Sequence, residues 1–261
     1  MCVKQTRIDQ LNVRIYPDRD EMGCSAAREA AQAIRGLLEE KKEVNLIFAA
    51  APSQSEFLRA LCAEEGIDWG RVNAFHMDEY VGLEVGQEGS FTNFLNERVF
   101  ERLPFKGVFR LNGAAEDTGE ECGRYARLLH DHPVTITFMG VGENGHIAFN
   151  DPSVAKFDDS AVVKVVDLER TCRMQQVHDK CFPTLEDVPE RAYTLTIPTL
   201  LSAEKIFCMV PGQTKAAAVE RMLTGEIQEA CPASILRRHA SAVLYLDQDS
   251  AQGFLVRENH N

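Results

Sequence analysis

Residues 134–152 read VTITFMGVGENGHIAFNDP, a short apolar run followed at once by a loop with three glycines, a histidine and an aspartate. The run is rich in apolar and β-branched side chains, which is typical of a buried strand. Similar runs alternate with helical segments at residues 11–16, 44–50, 72–77, 161–166, 192–197, 206–210 and 242–246. This alternation predicts an α/β protein with a mostly parallel sheet covered by helices on both faces.

The helical segments show the apolar spacing of amphipathic helices. They are predicted at residues 18–40, 53–61, 93–100, 120–130, 168–178, 199–203 and 214–223. No repeat, low-complexity tract or linker separates them, so we predict a single domain over residues 1–261.

The charge balance argues against two classes of partner. Lys and Arg number 28 and Asp and Glu 40, which gives a net charge of −12. Such a field repels nucleic acid and anionic membranes. No stretch approaches the ~18 consecutive apolar residues of a membrane-spanning helix, and the first residues lack the apolar segment of a secretion signal. The eight cysteines are scattered, so we expect free thiols in a soluble, cytoplasmic protein.

Four loops follow predicted strands, at residues 49–55, 75–82, 140–152 and 210–215. Ligands of parallel α/β sheets bind at the carboxyl ends of the strands, near the point where the strand order reverses. The sequence therefore predicts a ligand site built from these loops.

Two adjacent carboxylates, Asp78 and Glu79, occupy the loop at 75–82. A solvated turn with a helix-capping acid explains them, since surface carboxylates are common. A carboxylate placed in a cleft would instead serve as a base. The residues alone leave both interpretations open.

The glycines of the 140–152 loop formally match G-x-G-x-x-G at Gly140, Gly142 and Gly145. A dinucleotide site needs a helix directly after the motif, whereas this loop ends in Pro152. The pattern therefore disfavours a dinucleotide, and His146 is open to a structural or a catalytic role.

Two helix starts offer groups that bind anions. Lys215 lies in a first helical turn, where the helix dipole disfavours a cation unless an anion binds there. Ser53 and Ser55 lie at another helix start, where a serine either binds an anion or caps the helix. An exposed lysine and a capping serine remain the alternatives.

Three segments, MDEYVG (77–82), GENGHIAFNDP (142–152) and GQTK (212–215), follow predicted strands in this order. Together they resemble the glucosamine-6-phosphate deaminase/isomerase family, and the similarity extends from about residue 44 to residue 246. The resemblance implies a Rossmann-like α/β fold that uses no nucleotide, no other cofactor and no metal. It also implies the activity: ring opening of an amino-sugar 6-phosphate, proton transfer from C2 to C1, and release of ammonia to leave a ketose phosphate.

The resemblance assigns roles to the motif residues. Asp78 would take the C2 proton and return it at C1. His146 would open the ring by moving a proton between the ring oxygen and the anomeric hydroxyl, and Lys215 would hold the phosphate. The other members of the implied substrate-binding set are Ser53, Ser55, Glu79 and Gly145.

The chain departs from the family pattern inside its own motif. Many members have aspartate at the position of Asn144 and glutamate at the position of Asp151. The acid–histidine–acid relay of the family would here consist of Asn144, His146 and Asp151. Asparagine forms hydrogen bonds but does not exchange protons. This predicts a ring opening that is slower, altered in geometry or tuned to another sugar.

The phosphate end departs as well. Ala51 and Pro52 stand where the family usually has two glycines, and Pro52 lacks an N–H group. The basic residue of the family's helix after residue 166 has no clear counterpart. Arg173 is the nearest candidate, with Arg170 behind it, and a strict count selects Gln176.

Two other functions compete with the leading one. A 6-phosphogluconolactonase-like hydrolase shares the fold and a Gly-His loop, but such lactonases usually have Thr and Arg where this chain has Ile147 and Tyr80. A non-catalytic sugar-phosphate sensor would fit Asn144, whereas retention of the other motif residues argues against it. The sequence leaves open the configuration of the sugar at C4 and is compatible with a homo-oligomer.

Overall fold

The computed structural model describes residues 2–258. Within this range the strands are β1 (Lys4–Ile8), β2 (Leu11–Tyr16), β3 (Val44–Phe48), β4 (Val72–His76), β5 (Asp78–Tyr80), β6 (Gly107–Phe109), β7 (Ile136–Met139), β8 (Val163–Asp167), β9 (Arg191–Leu195), β10 (Lys205–Val210) and β11 (Ala242–Asp247).

The helices alternate with these strands along most of the chain. They are α1 (Arg19–Glu40), α2 (Ser55–Cys62), α3 (Phe91–Leu95), α4 (Thr118–Asp131), α5 (Arg170–His178), α6 (Ile197–Leu201), α7 (Ala216–Thr224) and α8 (Gln248–Glu258). Short 3₁₀ segments lie at Pro52–Gln54, Trp69–Arg71, Gln213–Lys215 and Pro232–Arg238, and a π-helical turn at Asn96–Phe100. None of the helices within residues 2–258 combines the length and the apolar character that crossing a membrane requires.

Eight strands form the main sheet in the order β1-β2-β11-β10-β7-β3-β4-β6. Every neighbouring pair is parallel except β1 with β2. The chain adds β4 and β6 on one side of β3, and then β7, β10 and β11 on the other. The strand order therefore reverses between β3 and β7, which is where such sheets bind ligands.

Strand β3 explains why helices cover both faces of this sheet. All its residues are buried, and successive side chains of a strand point to opposite sides. Leu46 and Phe48 join one core with Ala26 and Ile34 of α1. Ile47 joins a second core that contains side chains of α4 and α7. The predicted α/β class, with a mostly parallel sheet and helices on both faces, is confirmed.

A second, antiparallel sheet has the strand order β5-β9-β8. The strands predicted at 161–166 and 192–197 belong to this sheet, because β9 pairs antiparallel with both neighbours. Only Met77 separates β4 from β5, so the chain passes from the main sheet to the small one at the carboxyl end of β4. The assignment of residues 1–261 to one domain remains a prediction.

Candidate active site

A cavity opens at the carboxyl ends of β3, β4, β7 and β10, beside the point where the strand order reverses. Each of the four loops selected from the sequence contributes to its wall. The predicted site residues that line it are Ser53, Asp78, His146 and Lys215. Segments that are distant in the sequence thus meet in one cavity.

Asp78 is the first residue of β5, and its backbone pairs with that of Thr194. The side chain lines the cavity, although the residue is only 6% exposed. Among the described residues, Asp78 Oδ1 has no hydrogen-bond partner. Burial, and after it the neighbouring carboxylate of Glu79, raise the pKa of Asp78 well above its ordinary value. A carboxylate with a raised pKa is a stronger base, which suits the removal of a proton from carbon.

Glu79 is held by backbone N–H groups. Its Oε1 accepts hydrogen bonds from Tyr80 N (2.9 Å) and Phe91 N (3.0 Å), and its Oε2 accepts one from Thr92 N (2.7 Å). Burial raises the pKa of Glu79, and these N–H donors oppose the shift. Because all three partners are donors, the carboxylate form fits the arrangement. Glu79 therefore ties β5 to the start of α3, and these contacts do not support its predicted role in binding substrate.

His146, Asn144 and Asp151 form one hydrogen-bonded group. Asn144 Oδ1 accepts a bond from the backbone N–H of His146 (3.0 Å), while Asn144 Nδ2 donates to Asp151 Oδ1 (2.8 Å). These two bonds fix the orientation of the amide. His146 Nδ1 lies 2.8 Å from Asn144 Oδ1 and 3.0 Å from Asp151 Oδ1. Both atoms are acceptors, so Nδ1 carries a proton, and Nε2 of the neutral ring is left as a base.

Asp151 supplies the negative charge of this group. Burial alone would raise the pKa of Asp151, but the His146 imidazole and the Asn144 amide outweigh it and lower the pKa below its ordinary value. A fixed carboxylate beside Nδ1–H stabilises the ring when Nε2 takes up a proton. The arrangement therefore suits proton transfer by His146.

Two glycines shape the loop around the ring. A Cβ on Gly142 would lie 2.1 to 2.4 Å from three ring atoms of His146, so the imidazole packs directly on this residue. Gly145 adopts a φ of +92°, which favours glycine, and its carbonyl accepts a hydrogen bond from Ala233 N (2.9 Å). Gly145 shapes the turn and does not line the cavity, so its predicted contact with substrate is not supported.

Cys172 of α5 lies next to this group. Burial, and after it the carboxylate of Asp151, raise the pKa of Cys172 well above its ordinary value, which keeps the thiol protonated. Ligand atoms of His146, Asp151 and Cys172 lie within 4.8 Å of one another. Asp151 has hydrogen bonds to His146, to Asn144 and to the Cys172 thiol, and these bonds account for the arrangement.

Lys215 also lines the cavity and lies in the 3₁₀ turn before α7. The residue is 5% exposed, and burial lowers the pKa of its ammonium group, while Asp179 and Glu143 oppose the shift. Within residues 2–258 it makes no ion pair. A buried ammonium without a close counter-charge is suited to bind an anion.

Ser53 lies in the 3₁₀ turn before α2 and also lines the cavity. No side chain caps this turn or α2, so the alternative role of Ser53 as a helix cap does not apply. Its hydroxyl oxygen accepts a hydrogen bond from Gln54 Nε2 (3.1 Å), which leaves the O–H group free to donate. Ser55 is the first residue of α2 and lies outside the cavity wall.

Arg173 does not reach the cavity. Its Nη2 donates to the carbonyls of Leu185 and Val188, both at 2.8 Å. The cavity wall is formed instead by Gln175, Gln176 and Asp179 of the same segment. These contacts do not support the predicted role of Arg173 in binding substrate, which stays a prediction, because the guanidinium anchors the loop after α5. Gln176, which a strict count along the sequence selects for the family's basic position, does line the cavity.

Several lining residues were not predicted from the sequence. Besides Gln175 and Asp179, they include Arg19, Phe149 and Thr214. Arg19 is the first residue of α1, a position where the helix dipole disfavours a cation. That mismatch was a signal for an anion near the start of α1, similar to the one considered for Lys215.

Comparison with known proteins places this chain in a family. The family model described as glucosamine-6-phosphate isomerases/6-phosphogluconolactonase matches residues 17–245. The chain is 36% identical over 209 residues to the glucosamine-6-phosphate deaminase of Listeria monocytogenes serotype 4a (strain HCC23), which covers 80% of this chain and 87% of that protein. It is 35% identical over 225 residues to the glucosamine-6-phosphate deaminase of Bacillus cereus (strain B4264), with coverage of 85% and 84%.

Solved structures with the same architecture include a monomeric glucosamine-6-phosphate deaminase. It matches with a TM-score of 0.84 at 30% identity, over 92% of this chain and 99% of that one. The 6-phosphogluconolactonase of Thermotoga maritima matches with a TM-score of 0.74 at 18% identity, over 91% and 99% of the two chains. This second similarity shows a common fold.

Proposed function

Because the chain belongs to the family of glucosamine-6-phosphate isomerases and 6-phosphogluconolactonases, we propose that it is an amino-sugar phosphate isomerase/deaminase. The proposed reaction converts glucosamine 6-phosphate, or a close hexosamine 6-phosphate, and water into fructose 6-phosphate, or the matching ketose phosphate, and ammonia. The observation that carries the proposal is the position of Asp78, His146 and Lys215 on the wall of one cavity.

Ring opening is assigned to His146. Its Nε2 takes the proton of the anomeric hydroxyl and returns it to the ring oxygen as the C1–O5 bond breaks. Asp151 and Asn144 hold Nδ1–H, at 3.0 and 2.8 Å, and so keep the ring in one tautomer. The carboxylate stabilises the imidazolium between the two transfers.

Proton transfer between the carbons is assigned to Asp78. Its carboxylate removes the proton from C2 of the open-chain aldehyde. The enolate oxygen at C1 takes a proton from the ammonium group of the substrate, which gives an enolamine, and Asp78 then returns the C2 proton to C1. The product is an imine at C2, and water hydrolyses it to the ketose and ammonia. The raised pKa of Asp78 supports this role, because its carboxylate is a better base than an exposed one.

Lys215 and Ser53 are assigned to the phosphate. Both lie on the cavity wall, in loops that follow β10 and β3. A phosphate held there fixes the sugar relative to Asp78 and His146 and so contributes through orientation. A sugar phosphate is thus the partner that this cavity supports, while a cytoplasmic location and a homo-oligomer remain predictions.

Purified protein tests the proposal with glucosamine 6-phosphate, galactosamine 6-phosphate and 6-phosphogluconolactone, with ammonia and ketose phosphate as readouts. We expect ammonia from an amino sugar, and a loss of at least about a hundredfold in kcat for Asp78→Asn. The matched control is Asp249→Asn, an exposed position in α8 away from the cavity. Full activity of Asp78→Asn would reject this residue as the base.

Two outcomes would select the competing functions. Acid release from the lactone alone would assign the chain to the hydrolases, which the similarity at 18% identity supports only at the level of the fold. Thermal stabilisation by a sugar phosphate without turnover would indicate a sensor. The hydrogen-bonded group of His146, Asn144 and Asp151 argues against loss of catalysis.

A further inference from the structure

Lys215 alone does not balance the charge of a phosphate ester in this cavity. A phosphate ester carries a charge of about −1.5 to −2 at neutral pH, and Lys215 supplies one positive charge. Asp179 lines the same cavity and is negatively charged, as the phosphate is. Helix α5 adds only the neutral amides of Gln175 and Gln176. A second cation is therefore needed to balance the ligand.

Arg19 lies on this wall beside Pro52 and Ser53. Its Nη2 donates to Pro52 O (3.0 Å) and to Glu56 Oε2 (2.9 Å), and its Nε lies 2.9 Å from Glu56 Oε1. Among the described residues, Nη1 has no hydrogen-bond partner. One edge of the guanidinium is thus held by Glu56, and the N–H groups of Nη1 are available to a ligand.

The packing of α1 on α2 fixes this position. A Cβ on Gly23 would lie 2.7 Å from Glu56 Cβ, so the two helices approach closely at this point. Asp18 caps α1 by accepting a hydrogen bond from Glu21 N at 2.8 Å. Arg19 therefore extends from a well-defined helix start, and its partner Glu56 belongs to the first turn of the neighbouring helix.

We propose that Arg19 is a second phosphate-binding residue, which contacts the 6-phosphate of the sugar together with Lys215. Glu56 pairs with one edge of the guanidinium and offsets part of its positive charge. This inference rests on the proposed function, because it assumes a phosphate ester as ligand. Arg173 of α5 does not line the cavity, and the proposal gives its cationic role to Arg19 of α1.

Steady-state kinetics with glucosamine 6-phosphate test the proposal. Arg19→Ala should raise KM about tenfold, since it removes a charge-assisted hydrogen bond at a partly exposed site. It should change kcat by less than about twofold, because Asp78 and His146 are not displaced. The matched control is Arg59→Ala, since Arg59 pairs with Asp20 at 2.6 Å on the same helix pair and does not line the cavity. Its KM should stay within about twofold.

Glu56→Gln separates a binding role of Arg19 from a purely structural one. It weakens the same ion pair but keeps the cation, so KM should stay equal or fall, and the dependence of KM on salt should remain. Arg19→Ala should make that salt dependence shallower. An equal rise in KM for both variants, or an unchanged KM in Arg19→Ala, would overturn the proposal. Unfolding temperatures of the ligand-free variants check that each one folds.

A binding assay keeps this test independent of turnover. If the wild type releases no ammonia, the proposed reaction fails, while thermal stabilisation by glucosamine 6-phosphate still reports binding. Stabilisation by the phosphate ester but not by glucosamine, reduced in Arg19→Ala and retained in Arg59→Ala, supports the assignment. Equal stabilisation of all variants, or no stabilisation of the wild type, overturns it.

Discussion

The substitution Gly142→Ala adds one methyl group beside the ring of His146 and so tests the proposed role of this histidine. A Cβ there would lie 2.1 Å from Cε1, 2.3 Å from Nε2 and 2.4 Å from Nδ1 of the imidazole. Carbon atoms in contact normally stay about 3.5 Å apart or more, so Gly142→Ala must displace the ring by more than about 1 Å. Gly142 is not among the residues with positive φ. The backbone therefore accepts alanine, and the effect falls on the ring.

The expected loss follows from this displacement. It would break the contacts of Nδ1 with Asn144 (2.8 Å) and Asp151 (3.0 Å) and would move Nε2 relative to the sugar. Misplacement of a catalytic group by about 1 Å can cost about a hundredfold in rate, so kcat should fall by about that factor. Overpacking should lower the free energy of unfolding by about 1–3 kcal/mol. KM should change less, because Lys215 stays in place.

The assay compares ammonia release by Gly142→Ala, His146→Ala and the double variant. If the methyl group acts through the ring, the double variant should lose no more than about twofold beyond His146→Ala. Gly36→Ala serves as the control, because Gly36 is an exposed position of α1 with nothing within 4 Å of an added Cβ. It should keep kcat and stabilise the fold by about 0.5–1 kcal/mol. Full activity of Gly142→Ala, or fully additive losses in the double variant, would refute the reasoning.

Three further predictions concern the charges of the site. The raised pKa of Asp78 means that its contribution to stability is present below the ordinary pKa of aspartate and is lost as pH rises. As pH rises from about 5 to about 8, the free energy of unfolding should therefore decrease less for Asp78→Asn than for the wild type. Denaturant titrations at several pH values measure this, and a larger decrease for Asp78→Asn would contradict the prediction. Glu79→Gln removes a negative neighbour of Asp78, so the acid limb of the kcat/KM profile should move to lower pH; an unmoved limb would show that Glu79 does not tune the base. Asn144→Asp places a second carboxylate beside Asp151 and removes the amide N–H that donates to Asp151. The free energy of unfolding at neutral pH should therefore fall by about 1–3 kcal/mol. The two like charges raise the pKa of the carboxyl pair in the folded state, so the loss of stability should shrink as pH falls. A loss of stability that grows as pH falls would reject the explanation.

The main sheet was predictable because strands buried on both faces leave nearly continuous apolar runs. The run predicted at 44–50 begins with β3 and extends two residues beyond its end at Phe48. The strands that were missed are short or polar. The first, β1, reads KQTRI at the sheet edge, and β5 has only the three residues DEY. Strand β5 exists because Asp78 pairs with Thr194 far along the chain, a contact that no local pattern encodes.

Helix α5 shows how site residues escape a sequence-based prediction. Cys172, Gln175, Gln176 and Asp179 recur at the i, i+3, i+4, i+7 spacing of one helix face. Three of them line the cavity, and the first lies next to Asp151. Arg173 lies on the adjacent face and binds backbone carbonyls. A polar stripe of this kind resembles a solvated surface in the sequence, and only the tertiary packing shows that it faces the site.

Asn144 and Asp151, the two departures from the family motif, depend on each other in this chain. Asp151 Oδ1 receives the Asn144 amide at 2.8 Å and also lies 3.0 Å from His146 Nδ1. A carboxylate at position 144 would have no N–H to donate, so two acids at this spacing would repel each other unless they shared a proton. The amide avoids that repulsion, because it accepts from the histidine through Oδ1 and donates to the aspartate through Nδ2. The histidine is then supported by one fixed negative charge, and the proposed ring opening would need only the single proton that Nε2 carries between the two oxygens of the sugar.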